Sequence, residues 1–204
     1  MNDPAPPEAT PPVLRKDAAR NRRRIMDAAR ALAREGRPVQ LNAVAQAADV
    51  GVGTVYRHFP TPEVLLEALA ADRFEALTGQ AKRAGDMPDA ALALRAFLRE
   101  ALAAYLQDDA FAAAAVDPRP ATPQTRRLRH RLLEETGALL SRAASADGLR
   151  PALGPGDMML LLCGVGYAVR HAPDRDDPGL PERYLDALLD GALAPRPPAE
   201  PPRP

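Results

Sequence analysis

The side chains best equipped to engage another molecule lie in one short stretch, Val52-Gly53-Thr54-Val55-Tyr56-Arg57-His58. Their chemistry is that of recognition rather than bond making. Arg57 carries a planar guanidinium that can bond both acceptors of a guanine edge, worth about 1–3 kcal/mol of base discrimination. Val52 and the methyl of Thr54 suit a thymine methyl, and the Thr54 hydroxyl can reach a phosphate or a base edge. Gly53 has no side chain, so the backbone can come close to a partner there.

Elsewhere the ingredients of catalysis are scattered. His58, His130 and His171 are far apart in sequence, and no HExxH, CxxC, glycine-rich phosphate loop or GxSxG motif occurs. Cys163 sits in an apolar run and reads as a core thiol rather than a nucleophile. Glu134-Glu135 and Asp174–Asp177 read as solvated acids. The run Arg126, Arg127, Arg129, His130, Arg131 reads as a charged outer face paired with nearby acids. The expectation is a protein that is not an enzyme and carries neither cofactor nor metal.

A recognition surface needs a rigid mount, and Leu41–Phe59 has the pattern of one. Leu41, Val44, Ala45 and Ala48 fall at i, i+3, i+4 and i+7, a single apolar stripe. Asp49-Val50-Gly51 interrupts it. Val55 and Phe59 stand four apart in a second short helix and face back onto the first, leaving the other residues of the stretch outside. Ala45 is small where two closely joined helices must cross. This is a helix-turn-helix, whose second helix enters the major groove of a duplex. Upstream, Ile25, Ala28, Ala29 and Leu32 form another stripe with Gly36 as its stop. Arg15, Lys16, Arg20, Arg22, Arg23 and Arg24 cluster before it, placed to neutralise phosphates, with Arg22 and Arg23 the leading contacts. Gln40 and Asn42 stand at the start of the first motif helix, where backbone N–H groups favour a phosphate.

The runs GVGTVYRHFPTPEVLLEAL (51–69) and RIMDAARALAREG (24–36) resemble the DNA-binding head of TetR-type bacterial transcriptional regulators. The similarity covers Arg20–Leu69, and the closing Arg183–Gly191 is similar to the last helix of many actinobacterial members. The resemblance implies an all-α fold, an N-terminal three-helix helix-turn-helix domain followed by a C-terminal helical ligand-binding and dimerisation domain. It implies a homodimeric, ligand-responsive repressor, with Tyr56 and His58 touching the DNA backbone. The alternatives are a constitutive or architectural DNA-binding regulator and, from another class, a helical enzyme or carrier. Three departures from the family pattern stand out. Asp49 replaces a common Gly in the turn, Gly51 a frequent Ser cap, and Pro62 a basic residue that contacts phosphate, so no contact is carried over to Pro62.

Charge supports the division into head and body. The chain has 27 basic and 27 acidic residues, yet residues 15–60 hold ten basic against four acidic. A basic head suits an anionic partner at that end only. One cysteine excludes an internal disulfide, the Pro-rich opening shows no leader, and Met158–Val169 is too short to span a bilayer; a cytoplasmic protein with no membrane partner is expected.

The expected organisation is a disordered tail over 1–14, the helix-turn-helix domain over 15–61, a helical regulatory body over 62–194 and a Pro-rich tail over 195–204. Amphipathic helices are predicted over 63–84, 88–107, 111–116, 124–146 and 180–193, with Thr61-Pro62-Glu63 capping the first. Met158–Val169 is apolar all round, and with Gly164 and Gly166 it suits a close helical dimer interface. Such a dimer would present two recognition helices to a pseudo-palindromic double-stranded operator. For the small-molecule inducer that the resemblance implies, of unknown class, the candidate pocket residues are Phe97, Leu98, Tyr105, Phe111, Met159, Cys163 and Tyr167.

Overall fold

The computed structural model describes residues 12–146 and 153–193. Among these the chain is all-α: α1 Pro12–Arg34, α2 Leu41–Ala47, α3 Val52–His58, α4 Pro62–Gly85, α5 Ala90–Gln107, α6 Asp109–Val116, α7 Pro123–Ala146, α8 Pro155–His171 and α9 Leu180–Leu193. Helix α1 begins at Pro12, inside the stretch expected to be a tail, because a helix's first turn needs no N–H from proline. The remainder of that tail, and the Pro-rich stretch 195–204, lie outside the described residues. The chain divides into two compact units at Leu69 and Ala70, within α4.

The first unit is built on the expected stripes. Ile25, Ala29 and Leu32 of α1, Leu41, Val44 and Ala45 of α2, and Val55 and Phe59 are all buried, while Ala28 is half-buried. Gly36 ends α1 with a φ of 66°, and the N–H groups of Gly36 and Arg37 reach back to the carbonyls of Ala33 and Leu32 at 3.0 Å each. The same closure ends α2, with an aspartate in glycine's place. Asp49 takes a φ of 49°, and the N–H groups of Asp49 and Val50 bond the carbonyls of Gln46 (3.2 Å) and Ala45 (3.1 Å). Aspartate is among the few residues that tolerate this conformation. Helix α4 starts as its sequence predicts, Pro62 leading, Glu63 in the first turn and the Thr61 hydroxyl accepting the N–H of Val64 at 3.4 Å.

The second unit is centred on α5, which packs against α6, α7, α8 and α9. Its core takes Phe74 and Leu77 from α4, Leu94, Phe97, Leu98 and Leu102 from α5, Phe111 from α6, Leu132, Leu139 and Leu140 from α7, and Met158 and Leu162 from α8. Phe74 and Phe111 meet edge to face at 4.9 Å. Asp89 and Asp108 cap α5 and α6 by accepting the N–H groups of Leu92 and Phe111, each at 2.9 Å. Arg142 satisfies the end of α4, donating to the carbonyls of Gly85 (2.5 Å) and Met87 (2.7 Å).

One chain alone buries α8 on one side only. Met158, Met159, Leu162, Cys163, Gly166 and Val169 face the core, whereas Leu160, Leu161, Gly164 and Tyr167 are exposed. The two glycines therefore differ in role. At Gly166 a Cβ would lie 2.3 Å from Cδ1 of Tyr105, so its bareness serves packing within this chain; a Cβ at Gly164 would meet no other side chain within 4 Å. One sequence expectation is corrected here: among the described residues the arginine run on α7 is not chiefly paired with acids. His130 meets Glu134, but Arg126 donates to the Pro120 carbonyl and Arg129 to that of Asp117, tying down the chain between α6 and α7.

Gly166→Ala is expected to destabilise the protein by about 1–3 kcal/mol through overpacking against the Tyr105 ring. Gly164→Ala, on an open helical face, is expected to stabilise the monomer by up to about 1 kcal/mol. Urea unfolding of both variants checks this, and equal effects would contradict the assignment of the two glycines.

Candidate nucleic-acid interface

Helix α3 has only seven residues, too short to hold its shape unaided. Val55 and Phe59, both fully buried, anchor it to the first unit, where it contacts α1 and α2. Its start has no side-chain cap because Gly51 occupies that position, and the Gly51 carbonyl instead accepts the N–H of Thr54 at 2.8 Å. The turn before it is fixed from α1. Arg24 donates to the Asp49 carbonyl at 3.0 Å and to its carboxylate at 3.2 Å. Arg24, counted by sequence with the phosphate-facing cluster, thus braces the turn.

With the inner face committed, the outer face is what remains. Val52 and Tyr56 are 46% and 47% exposed, high for large apolar side chains with nothing to shield them. Gly53 and Arg57 are exposed as well, and Thr54 and His58 are half-buried. Arg57 curls over its own helix, Nε donating to the Gly53 carbonyl at 3.1 Å. A Cβ at Gly53 would meet nothing within 4 Å, so the fold itself does not require glycine there. Gln40 and Asn42 are exposed at the start of α2. Arg22 and Arg23 are exposed on α1, and the Arg22 guanidinium lies 4.7 Å from the centroid of the Phe59 ring. Arg22 is thereby held near α3, a link the sequence did not reveal.

The electrostatics agree with this placement. His58 is held below its ordinary pKa of 6.5, chiefly by partial burial, then by the charges of Arg22 and Arg57. The two arginine charges add to the effect of burial at this end of α3.

The second unit contains a cavity of about 230 Å³. It is lined by Phe74 of α4, Ala115 of α6, Arg129, Leu132 and Leu133 of α7, and Gly156, Asp157, Met159 and Leu160 of α8. Of the seven pocket residues expected from sequence, Met159 alone is in that lining. Phe97 lines a second, more open hollow of about 250 Å³ between α4 and α5, beside Arg83, Met87 and Arg99. Leu98 and Phe111 are closed into the core, Tyr105 is buried between Gly166 and the Arg170 guanidinium, and Tyr167 is 60% exposed, stacked on His171. Cys163 is buried, and burial pushes its thiol up to about 11, which leaves it protonated and unreactive. Among the described residues no group of three or more His, Cys, Asp or Glu is placed to hold a metal ion, and no helix is long and apolar enough to cross a membrane.

A helix-turn-helix head on an all-helical body is the architecture of a class of bacterial transcription regulators. A family model of bacterial regulatory proteins, tetR family, matches residues 25–69, and one for the C-terminal domain of SbtR-like transcriptional regulators matches residues 88–194. The chain belongs to the TetR family.

It is similar to the HTH-type transcriptional repressor KstR of Mycobacterium tuberculosis, 38% identical over 138 residues, which cover 55% of this chain and 63% of that protein. KstR of Mycolicibacterium smegmatis is 46% identical over 81 residues, 37% of this chain and 40% of that protein. The similarity thus spans less than two thirds of either relative. Among solved structures, Thermus thermophilus FadR in complex with lauroyl-CoA has the same fold, with a TM-score of 0.59 and 22% identity over 88% of this chain and 99% of that one.

Because the folded state lowers the pKa of His58, the unfolded chain takes up its proton more readily, and stability falls as pH drops below 6.5. The loss of stability between pH 7.5 and 5.5 is expected to be smaller in His58→Gln than in the parent. Denaturant titrations at the two pH values check this, and an unchanged difference would contradict the reading.

Proposed function

We propose that this chain is a homodimeric transcriptional repressor that binds pseudo-palindromic double-stranded DNA through α3 and releases it when a small molecule occupies the helical body. The observation that carries the reading is the two-sided character of α3. Val55 and Phe59 are wholly buried, while Val52, Gly53, Tyr56 and Arg57 are presented outward beside the Arg22 guanidinium. Arg57 reads a guanine after its Nε leaves the Gly53 carbonyl. Val52 and Thr54 read methyl groups. Gln40, Asn42, Tyr56, His58, Arg22 and Arg23 set register on the phosphates, contributing affinity without sequence preference.

The exposed apolar side of α8, with Leu160, Leu161 and Tyr167 around the open Gly164, is the surface we assign to the two-fold partner. A two-fold pair presents two copies of α3 to half-sites about one helical turn, roughly 34 Å, apart or multiples of that. The cavity in the second unit supports ligand response over a constitutive regulator: a ligand that prefers one of two body conformations shifts the population toward it. The KstR relatives are repressors by name, which supports the sign of regulation. We assign the protein no enzymatic activity and a cytoplasmic location.

Arg57→Ala is expected to lose about 1–3 kcal/mol of preference for the operator over an unrelated duplex. Arg23→Ala is expected to weaken all duplexes alike and to reduce the slope of log affinity against log salt by about one. Fluorescence-anisotropy titrations at several salt concentrations separate these effects. No change in DNA retention in either variant would end the regulatory reading.

A further inference from the structure

The hollow between Phe74 and Met159 in the second unit has a chemical polarity that selects its occupant; this inference rests on the ligand-responsive reading above. The walls supplied by Phe74, Leu132, Leu133 and Met159 are hydrocarbon and thioether, and the charged groups are Arg129 and Asp157. At about 230 Å³ the space is below the roughly 300–1,000 Å³ of sites that enclose drug-sized ligands, and it opens to solvent beside the exposed Asp157 and Leu160, so the part of an occupant held inside is compact.

The two charged groups are not equivalent. Asp157 is exposed, and its Oδ2 accepts the Gly154 N–H at 3.0 Å as part of the α8 N-terminal cap. Its negative charge is offset there by the helix dipole and by water. Arg129 is half-buried, and among the described residues its one hydrogen bond is from Nη1 to the uncharged carbonyl of Asp117. Among the described residues no carboxylate is within 4.0 Å of its guanidinium nitrogens. Its field is felt at the buried Cys163 thiol, so the charge acts on the interior as well as on solvent. A cation partly withdrawn from water beside an apolar cavity, without a counter-ion, favours an anion with a planar, two-oxygen head.

The geometry points to a compact monocarboxylic acid with an aryl or short alkyl tail, its carboxylate on the Arg129 guanidinium and its tail among Phe74, Leu132, Leu133 and Met159. A neutral molecule of the same shape gains the apolar contacts but leaves Arg129 uncompensated. An amine of that shape meets the guanidinium as a like charge.

The test uses the full chain and two matched probe pairs, phenylacetate with phenylacetamide and hexanoate with hexanamide, read by thermal shift and calorimetry. At least one acid is expected to raise Tm where its amide does not. Arg129→Gln is expected to weaken that acid by about tenfold or more, and Arg129→Lys to recover part of the loss, since a bond to a charged group is being removed and a charge restored. Leu133→Trp, which fills the cavity, is expected to abolish binding while leaving the charge in place. The acid-over-amide preference is measured in the parent and stands even if a variant does not fold.

Equal shifts from acid and amide in both pairs, or parent-like acid binding by a folded Arg129→Gln, overturn the proposal. Duplex binding by the ligand-free parent is scored separately. A parent that holds DNA but prefers no acid loses the ligand class and keeps the regulatory reading. One that prefers an acid but holds no duplex does the reverse.

Discussion

The head depends on the burial of Val55 and Phe59. A seven-residue helix lies well under the length at which an isolated helix persists in water, so α3 exists because two side chains, both fully buried, bind it to a larger core. Burying side chains of this size contributes roughly 1.5–3 kcal/mol each, more than any surface contact in the head can supply. The same burial sets the rotation of the helix. Once Val55 and Phe59 point inward, the helical period leaves no choice about which residues point outward. The outward face is thus a by-product of packing, and in the reading we propose its residues are free to be chosen for their fit to a duplex.

The arginines of α1 show how one cluster divides its labour. Arg24 is spent on the α2–α3 turn, Arg22 lies over the Phe59 ring, and Arg23 is left to the solvent. Asp49 gains from this arrangement. Its left-handed backbone costs more than glycine's would, and the bonds from Arg24 to its carbonyl and carboxylate offset part of that cost. The pair is exposed, so its contribution to stability is small, and its effect is to fix the angle at which α3 leaves the turn.

Much of the fold was legible because it rests on periodicity and on local capping chemistry. The stripes at Ile25, Ala29 and Leu32 and at Leu41, Val44 and Ala45, the Gly36 stop and the Thr61-Pro62-Glu63 start are all signals within a few residues of one another. Helix α9 keeps the bounds that its pattern gives, Leu180–Leu193. What was not legible depends on partners distant in sequence. Nothing in the spacing of Arg22 says that it will meet Phe59, and nothing near Gly166 says that Tyr105 needs the room. The cavity was the least readable feature. It is a gap left where side chains from α4, α6, α7 and α8 fail to fill space, and sequence patterns describe what packs rather than what is left over. Arg129 was hidden for a related reason, since a basic run on a helix reads as an outer face until the chain folds one member inward.

Hydroxyl-radical footprinting of the protein on the genomic fragments it selects at low salt tests the central claim most directly. Two protected backbone segments on one side of the duplex are expected, related by two-fold symmetry and about one helical turn apart or a multiple of it. A single protected segment, or none at low salt, would contradict it.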